Sequence, residues 1–245
     1  MSRRPFSTLG SLIFLFPTLA LAQVPATQPA HFAKTITKTL EYDYLVYLPK
    51  TYSPTEKSPL IVFLHGSGEC GHNLSKVAHT PVLAYAEKTP DFPFVVVVPQ
   101  AHSEKEWWPT ESLNAFLDHV LSTYNVDPDR VYLTGLSMGA YGVWDWACQS
   151  PDRFAAIVPF AGEGNDDLAG ELKHVPVWAW HGADDKAVSP AEEVRMVNAV
   201  NRKGGSAKLT MLPNTGHGGW NKAFANPDLY SWLLQHRRYH PPLSP

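Results

Sequence analysis

The sequence predicts an α/β fold, with a doubly wound, mostly parallel sheet and helices on both faces. Short runs of continuously apolar, β-branched residues are typical of strands buried on both faces of a parallel sheet, and stretches with helical periodicity lie between them. The 245 residues, 44% hydrophobic and 18% charged, suit one globular domain of this class.

The predicted strands and helices alternate along the chain. Strands are expected at 40–49, 60–66, 94–99 and 130–135, and then at AAIVPFAG, VPVWAWHG and AKLTMLP. Helices are expected at 110–124, 138–149, 190–202 and in the closing PDLYSWLLQHR. Thr110 is the expected N-cap of the first helix. In a sheet built this way, reactive residues collect at the carboxyl ends of the strands.

The first 22 residues predict a secretory signal peptide. Arg3 and Arg4 precede a short apolar run, and Ala20 and Ala22 form a small-residue cleavage site, so cleavage is expected after Ala22. The run is too short for a membrane anchor and is broken by Pro17. The paired arginines also fit a twin-arginine signal, which leaves the export route open. We therefore expect a secreted or periplasmic protein without a stable membrane anchor after cleavage.

The net charge of the mature chain limits the kinds of partner that it is expected to bind. Without residues 1–22 the chain has 18 basic and 23 acidic residues, a net charge of −5, which disfavours a nucleic-acid partner. Residues 23–34 are expected to form a flexible leader. Residues 35–240 are expected to form one catalytic domain, because no linker-like stretch interrupts them.

The stretch Gly135-Leu136-Ser137-Met138-Gly139 has the pattern G-x-S-x-G between a predicted strand and a predicted helix. In that setting the pattern forms a sharp turn that exposes the serine hydroxyl. A serine hydroxyl is a poor nucleophile near neutral pH and needs an imidazole to accept its proton. Ser137 is therefore the candidate nucleophile.

Two later strand ends supply a candidate base and a candidate acid. His217 lies in the glycine-rich segment NTGHGGW, where an imidazole could accept the proton of the serine. Asp184 and Asp185 lie in HGADDKAVSP, where a carboxylate could orient that imidazole. The spacing H-G-x-x-D-x-x-V favours Asp185, with Asp184 as the alternative.

An oxyanion hole is expected at two backbone N–H groups that would stabilise the attacked carbonyl oxygen. One belongs to Met138, next to the candidate nucleophile. The other belongs to Ser67 in the loop HGSGECG, with Gly68 as the neighbour that would replace it.

The histidines and cysteines do not predict a metal centre. His65, His72 and His79 are spaced by sevens, but no carboxylate pattern accompanies them. Cys70 and Cys148 show no C-x-x-C spacing. Cys148 lies 11 residues after Ser137 along a predicted helix, whereas Cys70 is expected in a loop near Ser137. This separation disfavours a disulfide between the two cysteines, although the question stays open.

Three tryptophans lie in loops near the predicted site. Trp107 and Trp108 follow the strand at 94–99, and Trp220 follows His217 closely. Each could bind an acyl or aryl group or pack in the core, and the sequence favours neither interpretation.

Together these segments resemble α/β-hydrolase esterases often described as predicted peptidases, near the dienelactone-hydrolase, phospholipase/carboxylesterase and feruloyl-esterase groups. The resemblance is carried by LEYDYLVYLP, PLIVFLHGSGECG, YNVDPDRVYLTGLSMGAYGVW, PDRFAAIVPFAG, VPVWAWHGADDKAVS and GHGGWNKAF. It implies an α/β-hydrolase fold with Ser137, Asp185 and His217 as a catalytic triad. Only about a dozen residues separate FAG (160–162) from VPVWAW (175–180), so no large cap domain is expected.

The expected function is that of an exported serine carboxylic-ester hydrolase working through an acyl-enzyme. Short-chain, aryl and polysaccharide-linked feruloyl or acetyl esters are the candidate substrates, and no cofactor is expected. The alternatives are a serine peptidase of the prolyl-oligopeptidase type and, from another class, a non-catalytic binding protein with the same fold. The oligomeric state stays open.

Overall fold

The structure is a computed structural model that describes residues 31–35 and 37–241. The chain divides into a unit from Met1 to Lys38 and a unit from Thr39 to Pro245, and all described helices and strands belong to the second. The predicted signal peptide and most of the predicted leader lie outside the described residues. Within the described ranges, no helix is both long enough and apolar enough to cross a membrane.

Among the described residues, seven strands form one sheet in the order β1-β3-β2-β4-β5-β6-β7. Only β1 is antiparallel, to β3, and the other neighbours run parallel, which confirms the predicted fold class. The strands are β1 (Tyr44–Tyr47), β2 (Ser58–Leu64), β3 (Val95–Pro99), β4 (Val126–Leu136), β5 (Ala156–Phe160), β6 (Val177–Gly182) and β7 (Ala207–Leu212).

In the part of the chain that the structure describes, six α-helices cover the two faces of the sheet. They are α1 (Pro81–Lys88), α2 (Thr110–Thr123), α3 (Met138–Gln149), α4 (Pro190–Arg202), α5 (Trp220–Phe224) and α6 (Pro227–Leu234). Helices α2, α3 and α4 pack on one face, in a core with Leu60, Val62 and Leu64. Helices α1, α5 and α6 pack on the other face, with Ile61 and Phe63. Strand β2 is therefore buried on both sides, as its continuous apolar run predicts.

Several element ends differ from the sequence prediction, among them β4, which begins at Val126 rather than at 130, and α6, which ends at Leu234 rather than at 237. The first strand covers only Tyr44–Tyr47 rather than 40–49, because this edge strand pairs with β3 only from Tyr44 opposite Pro99 to Tyr47 opposite Val96. Thr110 is not the N-cap of α2. The N-cap is Pro109, whose backbone is extended, and Thr110 is the first residue of the helix. No side chain makes a capping hydrogen bond at this end of α2.

The parallel strands place four loops at one edge of the sheet. Strand β2 leads into a 3₁₀ turn at Ser67–Glu69, and β4 leads directly into Ser137. Strand β6 leads into the loop with Asp185, and β7 into a 3₁₀ turn at His217–Gly219. The topology thus brings the candidate residues to the same side of the molecule.

Candidate active site

Ser137 occupies a strained turn between β4 and α3. Its φ of 51° and ψ of −122° lie outside the regions that non-glycine residues usually adopt. The Ser137 N–H donates to the carbonyl of Phe160 at 2.9 Å, which ties the turn to the end of β5. The turn holds the hydroxyl away from the strand and towards the loops of neighbouring strands.

The two glycines of the motif are required by close backbone contacts. A Cβ on Gly139 would lie 2.0 Å from the Leu64 carbonyl oxygen, and one on Gly135 would lie 2.7 Å from the Gly139 oxygen. Both distances are far below contact between nonbonded atoms. The start of α3 therefore packs directly against the ends of β2 and β4, which fixes the position of Ser137.

His217 links Ser137 to Asp185 through two short contacts. Its Nε2 lies 2.9 Å from the Ser137 Oγ, and its Nδ1 lies 2.7 Å from the Asp185 Oδ2. This arrangement allows the Ser137 hydroxyl to donate to Nε2 while the Nδ1–H donates to the carboxylate. Asp184, the alternative acid, is exposed, and its side chain makes neither contact.

The Asp185 carboxylate is buried and fully hydrogen-bonded. Its Oδ1 accepts from the backbone N–H groups of Ala187 at 2.8 Å and Val188 at 3.0 Å. Burial by itself raises the pKa of Asp185, but the hydrogen bonds from His217, Val188 and Ala187 outweigh it, so the net pKa lies below its usual value. The acid is therefore held as a carboxylate.

His181 is a site residue for which the sequence analysis proposed no role. It is fully buried, and its Nε2 lies 3.2 Å from the Asp185 Oδ2 and 3.1 Å from the Val188 carbonyl oxygen. Burial lowers the pKa of His181, which favours a neutral ring with its proton on Nε2, shared between these two acceptors. The motif H-G-x-x-D contained the signal, because it places His181 four residues before the acid.

The loop after β2 lies against the nucleophile. A Cβ on Gly66 would be 3.6 Å from the Cβ of Ser137. Ser67 is the first residue of its 3₁₀ turn and Met138 the first residue of α3, so neither N–H has an acceptor within its own helix. Ser67 directly follows Gly66 and Met138 directly follows Ser137, and Ser67 and Gly68 are both exposed.

Two polar side chains fix this loop in place. The His65 Nδ1–H donates to the Gly66 carbonyl at 2.6 Å, and its Nε2 accepts from the Ala101 N–H at 3.0 Å. The Gln100 Nε2 donates to the carbonyl of Glu69 at 2.6 Å. Burial lowers the pKa of His65 to about 4, so its ring is neutral and can accept from Ala101.

The three candidate substrate-binding tryptophans take different positions. Trp220 is half-buried, and its ring meets the ring of His217 edge-on at 5.4 Å between centroids. Trp107 is 49% exposed and packs edge-on against Tyr141 at 5.4 Å. Trp108 is only 3% exposed and lies in the core, so the structure favours packing over binding for most of its surface.

Two clefts are lined by residues close in sequence to Ser137 or His217. The smaller cavity, about 160 Å³, is lined by Leu136, Trp220 and Glu69 among others. The larger, about 460 Å³, is lined by Trp107, Trp108, Tyr141 and polar groups. These polar groups are Asp145, Glu163, Asn165, Asp166 and Arg195. The Tyr141 N–H donates to the Ser137 carbonyl at 3.1 Å, so the larger cleft begins one helical turn from the candidate nucleophile.

The two cysteines are not bonded to each other. Cys148 is buried on α3, where burial raises the pKa of its thiol to about 12, and Cys70 is half-buried in the loop after β2. The disulfide that the sequence left open is absent from the structure.

Comparison with known proteins gives a consistent result. Residues 39–219 match the family described as "Putative esterase". A bifunctional acetylxylan esterase/xylanase of Neocallimastix patriciarum is 29% identical over 60% of this chain and 22% of its own length. Acetylxylan esterase A of Emericella nidulans is 26% identical over 61% of this chain and 51% of its own length. The chain therefore spans between about a fifth and a half of these two curated relatives.

Solved structures resemble the fold over most of the chain. A thermostable esterase superposes with a TM-score of 0.68 and 29% identity, covering 80% of this chain and 59% of its own. This likeness supports the α/β-hydrolase fold over four fifths of the chain.

Proposed function

This chain belongs to the family described as "Putative esterase", and we propose that it is a serine carboxylic-ester hydrolase that works through an acyl-enzyme. The single observation that carries this proposal is the continuous hydrogen-bonded series from Ser137 through His217 to Asp185. A protein that kept the fold only for binding would have no need for a strained serine aligned with a buried, fully hydrogen-bonded acid.

In the first half of the reaction, the Ser137 Oγ attacks the ester carbonyl carbon while His217 Nε2 accepts the hydroxyl proton. Asp185 keeps the His217 ring in the required tautomer and stabilises the imidazolium that forms. The N–H groups of Met138 and Ser67 would donate to the developing oxyanion. His217 then gives its proton to the leaving alcohol, and the acyl group remains on Ser137.

In the second half, water replaces the alcohol. His217 accepts one proton from the water, whose oxygen attacks the acyl-enzyme carbonyl. Collapse of the tetrahedral intermediate releases the carboxylic acid and returns the proton to the Ser137 Oγ. His217 therefore accepts and returns one proton in each half of the cycle.

We propose short acyl groups, of the acetyl type, on a carbohydrate alcohol as the substrate class. The cavity of about 160 Å³ beside Leu136 and Trp220 suits a small acyl group. The larger cleft offers the exposed face of Trp107 next to carboxylate, amide and guanidinium groups, a combination suited to a sugar ring with its hydroxyls. The curated relatives named as acetylxylan esterases support the same choice.

We also propose that the protein acts outside the cytoplasm. The basic start, the apolar run and the small-residue cleavage site of residues 1–22 support export. A polymer-linked ester would be reached there without uptake of the substrate.

The proposal is tested with acetylated xylo-oligosaccharides, p-nitrophenyl acetate, methyl ferulate and aminoacyl p-nitroanilides. Trp107→Ala should raise KM for the saccharide ester about tenfold and leave p-nitrophenyl acetate within about twofold, because only the saccharide reaches the larger cleft. Tyr239→Ala removes another exposed aromatic ring, outside the cleft, and serves as the matched control. Anilide cleavage faster than ester cleavage would favour the peptidase alternative.

A further inference from the structure

A second cluster of chemically active side chains lies away from the triad. Asp43 directly precedes β1, His72 lies in the loop after β2, and His102 lies in the loop after β3. One ligand atom from each lies within 4.8 Å of those of the other two. The rings of His72 and His102 are 4.3 Å apart between centroids and tilted by 35°.

Main-chain hydrogen bonds hold the three segments together independently of these side chains. The Gln100 N–H donates to the Asp43 carbonyl at 2.8 Å, and the Gly71 N–H donates to the Ala101 carbonyl at 2.9 Å. The Gln100 side chain also donates to the Asn73 carbonyl at 3.1 Å. Each candidate ligand is therefore adjacent to, or part of, a fixed backbone contact, which lowers the entropic cost of bringing the three together.

We propose that Asp43, His72 and His102 bind a divalent transition metal ion, with Zn²⁺ as the best fit. Two imidazole nitrogens and one carboxylate oxygen form a ligand set that suits Zn²⁺ and disfavours Ca²⁺ and Mg²⁺, which prefer oxygen alone. In a tetrahedral Zn²⁺ site, ligand atoms are roughly 3.3–3.5 Å apart, given bonds of about 2.0–2.1 Å. Asp43 and His72 are exposed, so small side-chain rotations can close the remaining distance.

This ligand set differs from His65, His72 and His79, the three histidines that are spaced by sevens in the sequence. His65 is buried and bonded to Gly66 and Ala101, and His79 lines the small cleft beside Trp220. Only His72 of that series joins the cluster, and its partners come from distant parts of the sequence. The sequence analysis expected no metal, and the proposed site differs from that expectation.

A metal at this position would tie together the start of β1 and the loops after β2 and β3. The loop after β2 also carries Ser67, so the ion would restrain one wall of the proposed active site from outside it. The site does not touch Ser137, His217 or Asp185, and metal binding can therefore be measured without reference to ester hydrolysis.

The test uses the full chain, stripped with EDTA and dialysed, and titrated with ZnCl₂ by calorimetry and by thermal melting. We expect one Zn²⁺ per chain and a rise in Tm with Zn²⁺ that CaCl₂ does not produce. His72→Ala and His102→Ala should each weaken Zn²⁺ binding at least about tenfold. His79→Ala, which removes an exposed histidine outside the cluster, should bind Zn²⁺ as the unmodified protein does.

Asp43→Asn serves as a second variant that keeps side-chain size and the backbone bond to Gln100. Co²⁺ should give visible absorption bands with the unmodified protein and weaker bands with this variant. Circular dichroism and the Tm of the metal-free variants establish that they are folded. Absence of saturable Zn²⁺ binding, or equal binding by His72→Ala, His102→Ala and His79→Ala, would overturn the proposal.

Discussion

At the scale of single residues, contacts to both oxygen atoms fix the position of the Asp185 carboxylate. Two backbone N–H groups hold Oδ1, and two imidazoles lie against Oδ2. The adjacent Asp184 has the same chemistry but is exposed. Substitution of each aspartate in turn therefore distinguishes the effect of any carboxylate in this loop from the effect of the carboxylate that contacts His217.

We predict that Asp185→Asn lowers kcat for p-nitrophenyl acetate by roughly 10³–10⁴-fold, because an amide no longer selects the tautomer with a free Nε2 lone pair. Asp184→Asn should stay within about twofold of the unmodified enzyme, a change of less than about 0.5 kcal/mol in activation free energy. Steady-state kinetics of the two variants, purified in parallel, checks this. Equal losses would show that Asp185 has no special relation to His217.

His181 is predicted to be a positioning residue. His181→Ala removes a donor to Asp185 and should lower kcat about tenfold or more, with partial rescue in His181→Asn. KM for p-nitrophenyl acetate should stay within about twofold, because Asp185 and His181 orient His217 and do not bind the substrate. An unchanged kcat in a folded His181→Ala protein would contradict this role.

At the scale of elements, the turn from β4 to α3 depends on backbone contacts that tolerate no side chain. Gly139→Ala would place a Cβ 2.0 Å from the Leu64 carbonyl oxygen and 2.7 Å from that of His65. Because both neighbours are backbone atoms of β2 and its loop, the strain cannot be relieved by a rotamer change. We predict a loss of about 3 kcal/mol or more in the free energy of unfolding, together with loss of activity.

Gly218→Ala is the matched control for that variant. A Cβ on Gly218 meets no heavy atom within 4 Å, although the residue is next to His217. We expect its free energy of unfolding to stay within about 1 kcal/mol of that of the unmodified protein. Urea unfolding followed by tryptophan fluorescence compares the two, and similar stability of both variants would show that the packing of α3 is not as close as described.

The elements themselves were largely predictable, and the exceptions have physical causes. Helix α3 at Met138–Gln149 and α4 at Pro190–Arg202 match the predicted ranges, because their apolar positions and starting signals are local. Helices α1 at Pro81–Lys88 and α5 at Trp220–Phe224 were not predicted, since eight and five residues carry too little periodicity. The predicted cap at Thr110 was wrong because Pro109, without an N–H of its own, already stands in the extended N-cap position.

At the scale of the whole molecule, His65 couples stability to pH. Its ring joins the loops after β2 and β3, faces Glu69 at 3.8 Å, and has a pKa lowered from 6.5 to about 4 by burial, with Lys76 adding to the lowering. Between pH 6.5 and about 4, the His65 ring is therefore protonated in the unfolded chain and neutral in the folded protein. Stability contributed by the neutral ring is full above pH 6.5 and is lost as the pH falls through about 4.

This linkage predicts a decrease of about 3 kcal/mol in the free energy of unfolding between pH 7 and pH 4 that comes from His65 alone. His65→Gln has no titrating group at this position and should show a flatter dependence over the same range. Urea unfolding at several pH values measures both proteins. Parallel curves for the two would contradict the assignment.

The tertiary arrangement of the chain also determines which site residues could be predicted from the sequence. The strand-end motifs located Ser137, Asp185 and His217, since each follows a recognisable strand. Trp107 and Trp108 are neighbours in sequence, but one is exposed and the other is in the core, because the positive φ of 51° at Trp107 turns the chain between them. The cluster of Asp43, His72 and His102 was not predictable, since its members meet only through the pairing of β1 with β3 and the contacts between the loops after β2 and β3.

The most direct test of the central claim is hydrolysis of p-nitrophenyl acetate and butyrate and of methyl ferulate by the mature protein and by Ser137→Ala. We predict turnover by the mature protein, fastest on the acetate, and a loss of at least about 10³-fold in Ser137→Ala at unchanged Tm. Activity that persists in Ser137→Ala, or no turnover by folded mature protein on any of the three esters, would contradict the proposal of a serine esterase.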